Sequence, residues 1–186
     1  MCGNACVVAR EAKFVPTKKY SPLYFVPKFS GLCEAFNQEI TGGEIISYLV
    51  CHMEKYHKTD IAPVENENER DETYQASNPQ IDFTRTRNNY NIIKRQRSYT
   101  QFINDKIEAL DLPTKVRKDA VLMCSFVVGS DREFFGRLSP SEQQQFFVDC
   151  TRFFAERYGE DNIISAVVHM DETTPHLHLN LIPIAD

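Results

Sequence analysis

No C-x-x-C pair and no zinc-ribbon spacing links the cysteines, which are Cys2, Cys6, Cys33, Cys51, Cys124 and Cys150. This excludes a thiolate zinc module and a thioredoxin-like redox motif. No apolar run approaches the ~20 residues of a membrane helix. The longest, Ala120 to Val128, is interrupted by Ser125. The start, Met1-Cys2-Gly3-Asn4, lacks the basic segment and apolar stretch of a secretory leader, so a reducing cytosol is the expected compartment. Glycine, at 7 residues, is too scarce for a collagen repeat. The most local absence is of acid. None lies between Phe83 and Asn104, where Arg85, Arg87, Lys94, Arg95 and Arg97 gather. Lys115, Arg117 and Lys118 form a second basic cluster. The chain as a whole carries −5, from 26 acids against 21 bases, which by itself argues against a general nucleic-acid binder. The local distribution matters more than the sum, and a solvated polar loop is the competing reading of these clusters.

What is present is a globular composition. Apolar residues make up 42% and charged residues 25% of 186, enough for one domain with its own core. Residues 1–44 stand apart, with three of the nine prolines, a repeated Phe-Val-Pro (Phe14-Val15-Pro16 and Phe25-Val26-Pro27) and no clear periodicity. They are expected to be an extension. Thr41-Gly42-Gly43-Glu44 is compatible with an encoded ribosome-binding site, which would start translation near Ile45 or Ile46. The domain is therefore expected over 45–186, and its stop directly after a core strand suggests a C-terminal truncation.

Within it, the β-rich Ile45 to Met53 predicts a strand, and Glu54 to Arg97 a long polar loop of the functional kind. Ser98 caps a helix through about Asp111, with Phe102, Ile103, Ile107 and Leu110 at helical spacing. Ala120 to Val128 reads as a buried strand and Asp131 to Leu138 as a short helix. The clearest helix is Pro140 to Tyr158. Ser139 and Glu142 make a capping box, Pro140 sits at the first position, and Gly159 ends it. Its stripe of Phe146, Phe147, Cys150, Phe153, Phe154 and Tyr158 predicts a face packed on a sheet. Ile163 to His169 and His176 to Ile184 are strands joined by the turn Asp171 to Pro175. This order predicts an α+β domain, a mostly antiparallel sheet with helices on one face.

The chemistry concentrates in His169-Met170-Asp171-Glu172-Thr173-Thr174-Pro175-His176-Leu177-His178. His176 and His178 are two apart on a strand and share a face, while Leu177, Leu179 and Leu181 point the other way. The hairpin returns this strand beside His169, so three imidazoles can converge. Neutral imidazoles with open positions suit a divalent transition metal acting on a substrate. Glu172 is near enough to orient a ligand ring or approach the metal. Asp171 reads as a turn residue, and His52 and His57 as ordinary surface histidines.

The pattern H-x-D-E-x-T-P-H-x-H resembles the third motif of the Mob/Pre plasmid mobilisation relaxases, within the wider class of nucleases with a histidine–hydrophobe–histidine site. The resemblance spans about Ile46 to Ile184 and includes Asn78-Pro79-Gln80-Ile81-Asp82, Arg85 to Tyr90, Arg117 to Val121 and Arg157 to Glu160. It implies a metal-dependent transesterase that binds a transfer origin, a hairpin with adjacent single strand, and nicks one DNA strand. The resemblance implies manganese or magnesium on His169, His176 and His178, with Glu172 assisting. It implies DNA contacts at Asn89, Tyr90 and Tyr158, with Arg85 and Arg87 neutralising phosphates and Arg70 a further phosphate contact. No membrane partner is implied, and oligomeric state is left open.

One motif departs from the family. The best-known members carry His-Asn-Glu-Arg, whose histidine is the proposed nucleophile. Here the stretch is Glu67-Asn68-Glu69-Arg70. Glu67 could attack as a carboxylate, though its acyl phosphate would be labile, or act as a base for water. His57, Tyr56 and Tyr74 are nearby substitutes. Two alternatives follow: a metal-dependent phosphodiesterase or replication-type nicking enzyme using water or a tyrosine, and an origin-binding remnant that no longer cuts.

Overall fold

The order of strands in the sheet explains where the histidines end up. The computed structural model describes residues 5–8, 49–71, 74 and 78–184. Its strands are β1 (Ala5–Val8), β2 (Val50–Tyr56), β3 (Tyr90–Ile93), β4 (Met123–Gly129), β5 (Ile163–His169) and β6 (His176–Leu181). They form one sheet in the order β1-β2-β4-β6-β5-β3, every adjacent pair antiparallel. Its helices are α1 (Ile61–Asn68), α2 (Tyr99–Ala109), α3 (Arg132–Arg137) and α4 (Pro140–Tyr158). After β4 the chain crosses over through α3 and α4 and sets β5 down one place too far to pair with β4. The hairpin then returns β6 into the gap. The two-histidine strand is thus central, paired on both sides.

Alternation in β4, β5 and β6 divides the two faces. Phe126, Val128, Ala166, Val168, Leu177, Leu179 and Leu181 are buried in one cluster with Phe146, Phe147, Cys150 and Phe154 of α4. The capping box expected at Ser139 forms through Glu142, and the cap expected at Ser98 closes into a box as well, through Gln101. Gly159, at φ +83°, ends α4 in a conformation that an L side chain rarely adopts. Each fully buried phenylalanine of the stripe contributes roughly 2 kcal/mol of transfer free energy. The fold class is the expected α+β with an antiparallel sheet, and the large helix lies on one face of it.

The shorter helices α1 and α2 belong to a second cluster, Ile61, Tyr99, Ile103, Met123, Ile164 and Ile182. By strand parity Met123 points to the opposite face from Cys124, Phe126 and Val128, so this pair covers one end of the other face. The rest of that face carries a row of polar side chains. Ser165, Asn180 and Ser125 lie side by side in register, as do His169, His176 and Gly129.

The predicted loop from Glu54 to Arg97 is more structured than its composition suggests, since β2 runs on to Tyr56 and the segment contains α1 and β3. Their signals were too short to stand out. The helix has only Ile61 and Val64 as an apolar stripe, and β3 is four residues with an irregular register between Asn91 and Ile93. The extension, apart from the strand at residues 5–8, lies outside the described residues, as do Ile45 to Tyr48 and the last two positions. No helix among the described residues is long and apolar enough to cross a membrane.

Candidate metal centre

β5 and β6 place the three imidazoles. His169 pairs directly with His176, and Val167 with His178, so His178 sits diagonally from His169 on the same face. Ring centroids are 4.4 Å apart for His169 and His178, 4.9 Å for His176 and His178, and 5.4 Å for His169 and His176. One ring nitrogen from each lies within 4.8 Å of the others. Gly129 makes room for this. A Cβ there would stand 3.2 Å from the Cβ of His176 and 3.3 Å from the Pro175 carbonyl oxygen.

Backbone carbonyls set the tautomers. His169 Nε2 lies 2.8 Å from the carbonyl oxygen of Asn68, which can only accept, so Nε2–H donates. That carbonyl belongs to the last turn of α1, where carbonyls lack intrahelical partners. His169 Nδ1 is then unprotonated, in agreement with the guanidinium nitrogen of Arg70 donating to it at 3.0 Å. His176 Nδ1 likewise donates to the Thr174 carbonyl at 2.9 Å, leaving Nε2 as the free lone pair. Burial pushes the His176 and His178 imidazoles below their ordinary range. The three rings converge with a lone pair on His176 Nε2 and another on His169 Nδ1, now taken by Arg70, and this donor set fits a divalent metal ion.

The acids beside it form a tight ionic cluster around Arg70, whose side chain is 4% exposed. Arg70 donates to Asp171 through Nε (3.0 Å) and one terminal nitrogen (3.2 Å), to Glu172 at 2.7 Å, and to the carbonyl of Glu67 at 2.9 Å. Its φ of +50° is left-handed, a strain on the order of 1 kcal/mol that these bonds offset. His169, His176 and the Arg70 guanidinium hold the Glu172 carboxyl down at about 2. Asn78 donates to the other Glu172 oxygen at 3.0 Å. Glu172 stands 3.6 Å from His176 Nε2 and 3.8 Å from His169 Nδ1, close to the centre but bonded to Arg70 and Asn78.

Asp171 does more than shape a turn. It is fully buried and accepts from Arg70, Thr86 (2.9 Å) and Asn89 (2.8 Å). Burial alone would raise its carboxyl, but these donors win and hold it at about 2. Asn89 also accepts from the backbone N–H of Met170 at 2.7 Å, so it ties β3 to the hairpin. Asp171, Asn78 and the Asn68 carbonyl are the participants that sequence reasoning underweighted. Asp171 and Asn78 lay inside quoted motifs, whereas nothing in a sequence flags a carbonyl.

The other candidates divide. Arg85 is exposed near the centre, donating to the Glu172 carbonyl at 3.0 Å, and Arg87 is exposed on the same segment. Glu67 is exposed at the end of α1, and burial first, then the Glu67 charge, raises the phenol of the partly exposed Tyr74. Tyr90 and Tyr158 are not brought to the histidines. Both pack on the α4 side of the sheet, Tyr158 against Phe126 and Phe154, and burial raises each phenol to about 12. His57 is tied to the Ala120 carbonyl, and His52 lies beside Glu54 on β2.

Comparison with known proteins matches the family described as plasmid recombination enzyme over residues 46–186. The chain belongs to the plasmid recombination enzyme family. A plasmid recombination enzyme of a Bacillus species is 41% identical over 143 residues, covering 76% of this chain and 34% of that protein. The type 2 plasmid recombination enzyme of Staphylococcus aureus matches with the same identity and coverage. The chain thus spans about a third of the length of these curated relatives. Among solved structures, a manganese-bound MobM relaxase domain on plasmid pMV158 oriT DNA is similar with a TM-score of 0.70. Its identity is 34%, and the match covers 74% of this chain and 71% of that one.

Proposed function

We propose that residues 45–186 form the catalytic domain of a plasmid mobilisation and recombination relaxase. It binds a transfer origin, a hairpin with adjacent single strand, and cuts one DNA strand by metal-dependent transesterification. The observation that carries this reading is the convergence of three imidazoles, two with tautomers locked by backbone carbonyls, beside an exposed basic segment. His169 through Nδ1, His176 through Nε2, and His178 would hold the metal. Manganese is the first choice, because the similar MobM domain is manganese-bound, and magnesium the second. A bound divalent ion offsets charge on the non-bridging oxygens of a scissile phosphate.

The chain's own residues do the rest. Asp171 and Arg70 fix the segment that carries Asn68, and through its carbonyl the ring of His169. Glu172 keeps Arg70 at the centre's edge. Asn89 acts through Asp171. Arg85 and Arg87 face solvent on the approach to the centre and are assigned to DNA phosphates. The cytoplasm, where plasmid DNA lies and where the buried Cys51, Cys124 and Cys150 stay as free thiols, is the compartment that fits.

The test is incubation with manganese of a supercoiled plasmid carrying this coding sequence and its flanking DNA. Conversion to open circles supports the reading. Binding without conversion would favour an origin-binding remnant. The centre itself is tested by melting. Manganese should raise the melting temperature of the protein, and His176→Ala should abolish that shift.

A further inference from the structure

Two of the three ligand rings have one nitrogen held by a backbone carbonyl, His169 by Asn68 and His176 by Thr174. His178 has no such acceptor among the described residues. Metal-bound imidazoles almost always donate their second N–H to an oxygen, which fixes the ring and its tautomer. Two residues further along β6, on the same face, stands Asn180. It is 0% exposed, and its side-chain oxygen Oδ1 is buried with no donor among the described residues. A buried acceptor left without a donor is costly. A ring that needs an acceptor and an acceptor that needs a donor are thus neighbours on one strand.

A chain of hydrogen bonds fixes which way the Asn180 amide points. At its far end the Glu69 carboxylate, 3.5 Å from the Lys94 ammonium, can only accept. Tyr99 therefore donates its hydroxyl proton to Glu69, at 2.9 Å. That leaves Tyr99 as the acceptor for the Ser165 hydroxyl, at 2.5 Å. Ser165, its one proton used, accepts from Asn180 Nδ2 at 2.9 Å. The amide is committed by this sequence, with its nitrogen toward Ser165 and its oxygen turned away. Tyr99, Ser165 and Asn180 are all buried, so bulk water does not compete with the chain. In the sheet, Asn180 is flanked by Ser125 and Ser165, and the adjoining row on the same face holds His178.

We propose that Asn180 is a positioning residue of the metal centre: its Oδ1, through one bound water, takes the second ring N–H of His178. This rests on the metal-centre reading above. Two strand residues at ~3.3 Å of rise each set the side chains about 7 Å apart, a gap that a single bridging water spans. Holding that N–H leaves the other His178 nitrogen as the lone pair for the metal. All three rings are then fixed by oxygens, two from the backbone and one from a side chain. Glu69 belongs to the segment whose Asn68 carbonyl orients His169, so one network ties the ligand on β5 to the ligands on β6.

The experiment uses the full chain and reads the ring and the metal separately. In the metal-free protein, proton–nitrogen correlation spectra of the histidine rings should show neutral His178 in a single tautomer. Asn180→Leu, similar in shape but without the acceptor, should leave His178 in a mixture of tautomers. The same variant should bind manganese about 10-fold more weakly in a calorimetric titration. Asn180→Asp, which keeps an acceptor, should hold the single tautomer and bind manganese as tightly as the native chain. A mixture of tautomers in the native protein would overturn the proposal, and that reading needs no variant to fold. A native tautomer or a native affinity in Asn180→Leu would overturn it too. So would an Asn180→Asp as weak as Asn180→Leu, which would make Asn180 a packing residue. Failure of the native chain to bind manganese would overturn the metal centre itself. In that event a native His178 tautomer that is lost in Asn180→Leu would still support the link between Asn180 and the ring.

Discussion

Asp171 shows how much one buried carboxylate can organise. It anchors Arg70 from one stretch of chain and Thr86 and Asn89 from another, and none of those contacts is local. Its folded-state carboxyl, at about 2, lies below the ordinary 3.8. The stabilisation is therefore complete above about pH 5 and is lost as pH falls through 4 toward 2, on the order of 2 kcal/mol. Asp171→Asn should remove roughly 3 kcal/mol near neutrality, because it leaves Arg70 buried with less charge opposite it. Denaturant midpoints for the two proteins should converge toward pH 2, and curves that stay parallel across that range would refute the assignment. A turn aspartate was legible at this position. The buried hub was not, because Arg70 and Asn89 lie 101 and 82 positions away and nothing short of folding brings them together.

Elements were legible in proportion to their length and their signals. The 19-residue α4 carries a full capping box, a proline start, a glycine stop and a phenylalanine stripe, and each local preference agrees with the sheet packing it meets. The eight-residue α1 has no such redundancy, yet its terminal carbonyl sets a ligand tautomer. Two substitutions separate packing from site-building. Phe147→Ala removes a fully buried ring from α4 and should cost about 3–5 kcal/mol in denaturant unfolding, with the manganese-dependent melting shift surviving in the folded fraction. Gly129→Ala should do the reverse. Its added methyl pushes on His176 and Pro175, so manganese affinity measured by titration should fall about tenfold while metal-free stability changes little. An unchanged affinity would mean that β6 shifts without moving the ring.

At the scale of the molecule, a net charge of −5 coexists with a basic approach to the centre. Lys115, Arg117 and Lys118 sit elsewhere, lining a groove with Lys58 beside α2. If DNA crosses the segment holding Arg85 and Arg87, affinity will fall with salt. Arg87→Ala should then weaken plasmid binding and lower the slope of log affinity against log salt by about 1, measured by gel shift across salt concentrations. An unchanged slope would move the DNA path off this segment. Tyr90 and Tyr158 illustrate the limit of motif reasoning at this scale. Their positions in quoted motifs are plain in the sequence, but the side of the sheet they occupy depends on the pairing of β3 and the docking of α4.

Alternation and spacing alone determined that His176 and His178 share a face, that Leu177, Leu179 and Leu181 oppose them, and that a hairpin could bring His169 near. These follow from the two-residue repeat of a strand, which is a local property of the backbone. Folding decided the rest: that β6 lies between β4 and β5, that Asn68 and Thr174 carbonyls choose which nitrogen of two rings carries the proton, and that Arg70 meets Asp171. Each depends on contacts between groups far apart in the chain or on a tight turn, and no periodicity in the residues between them encodes the meeting.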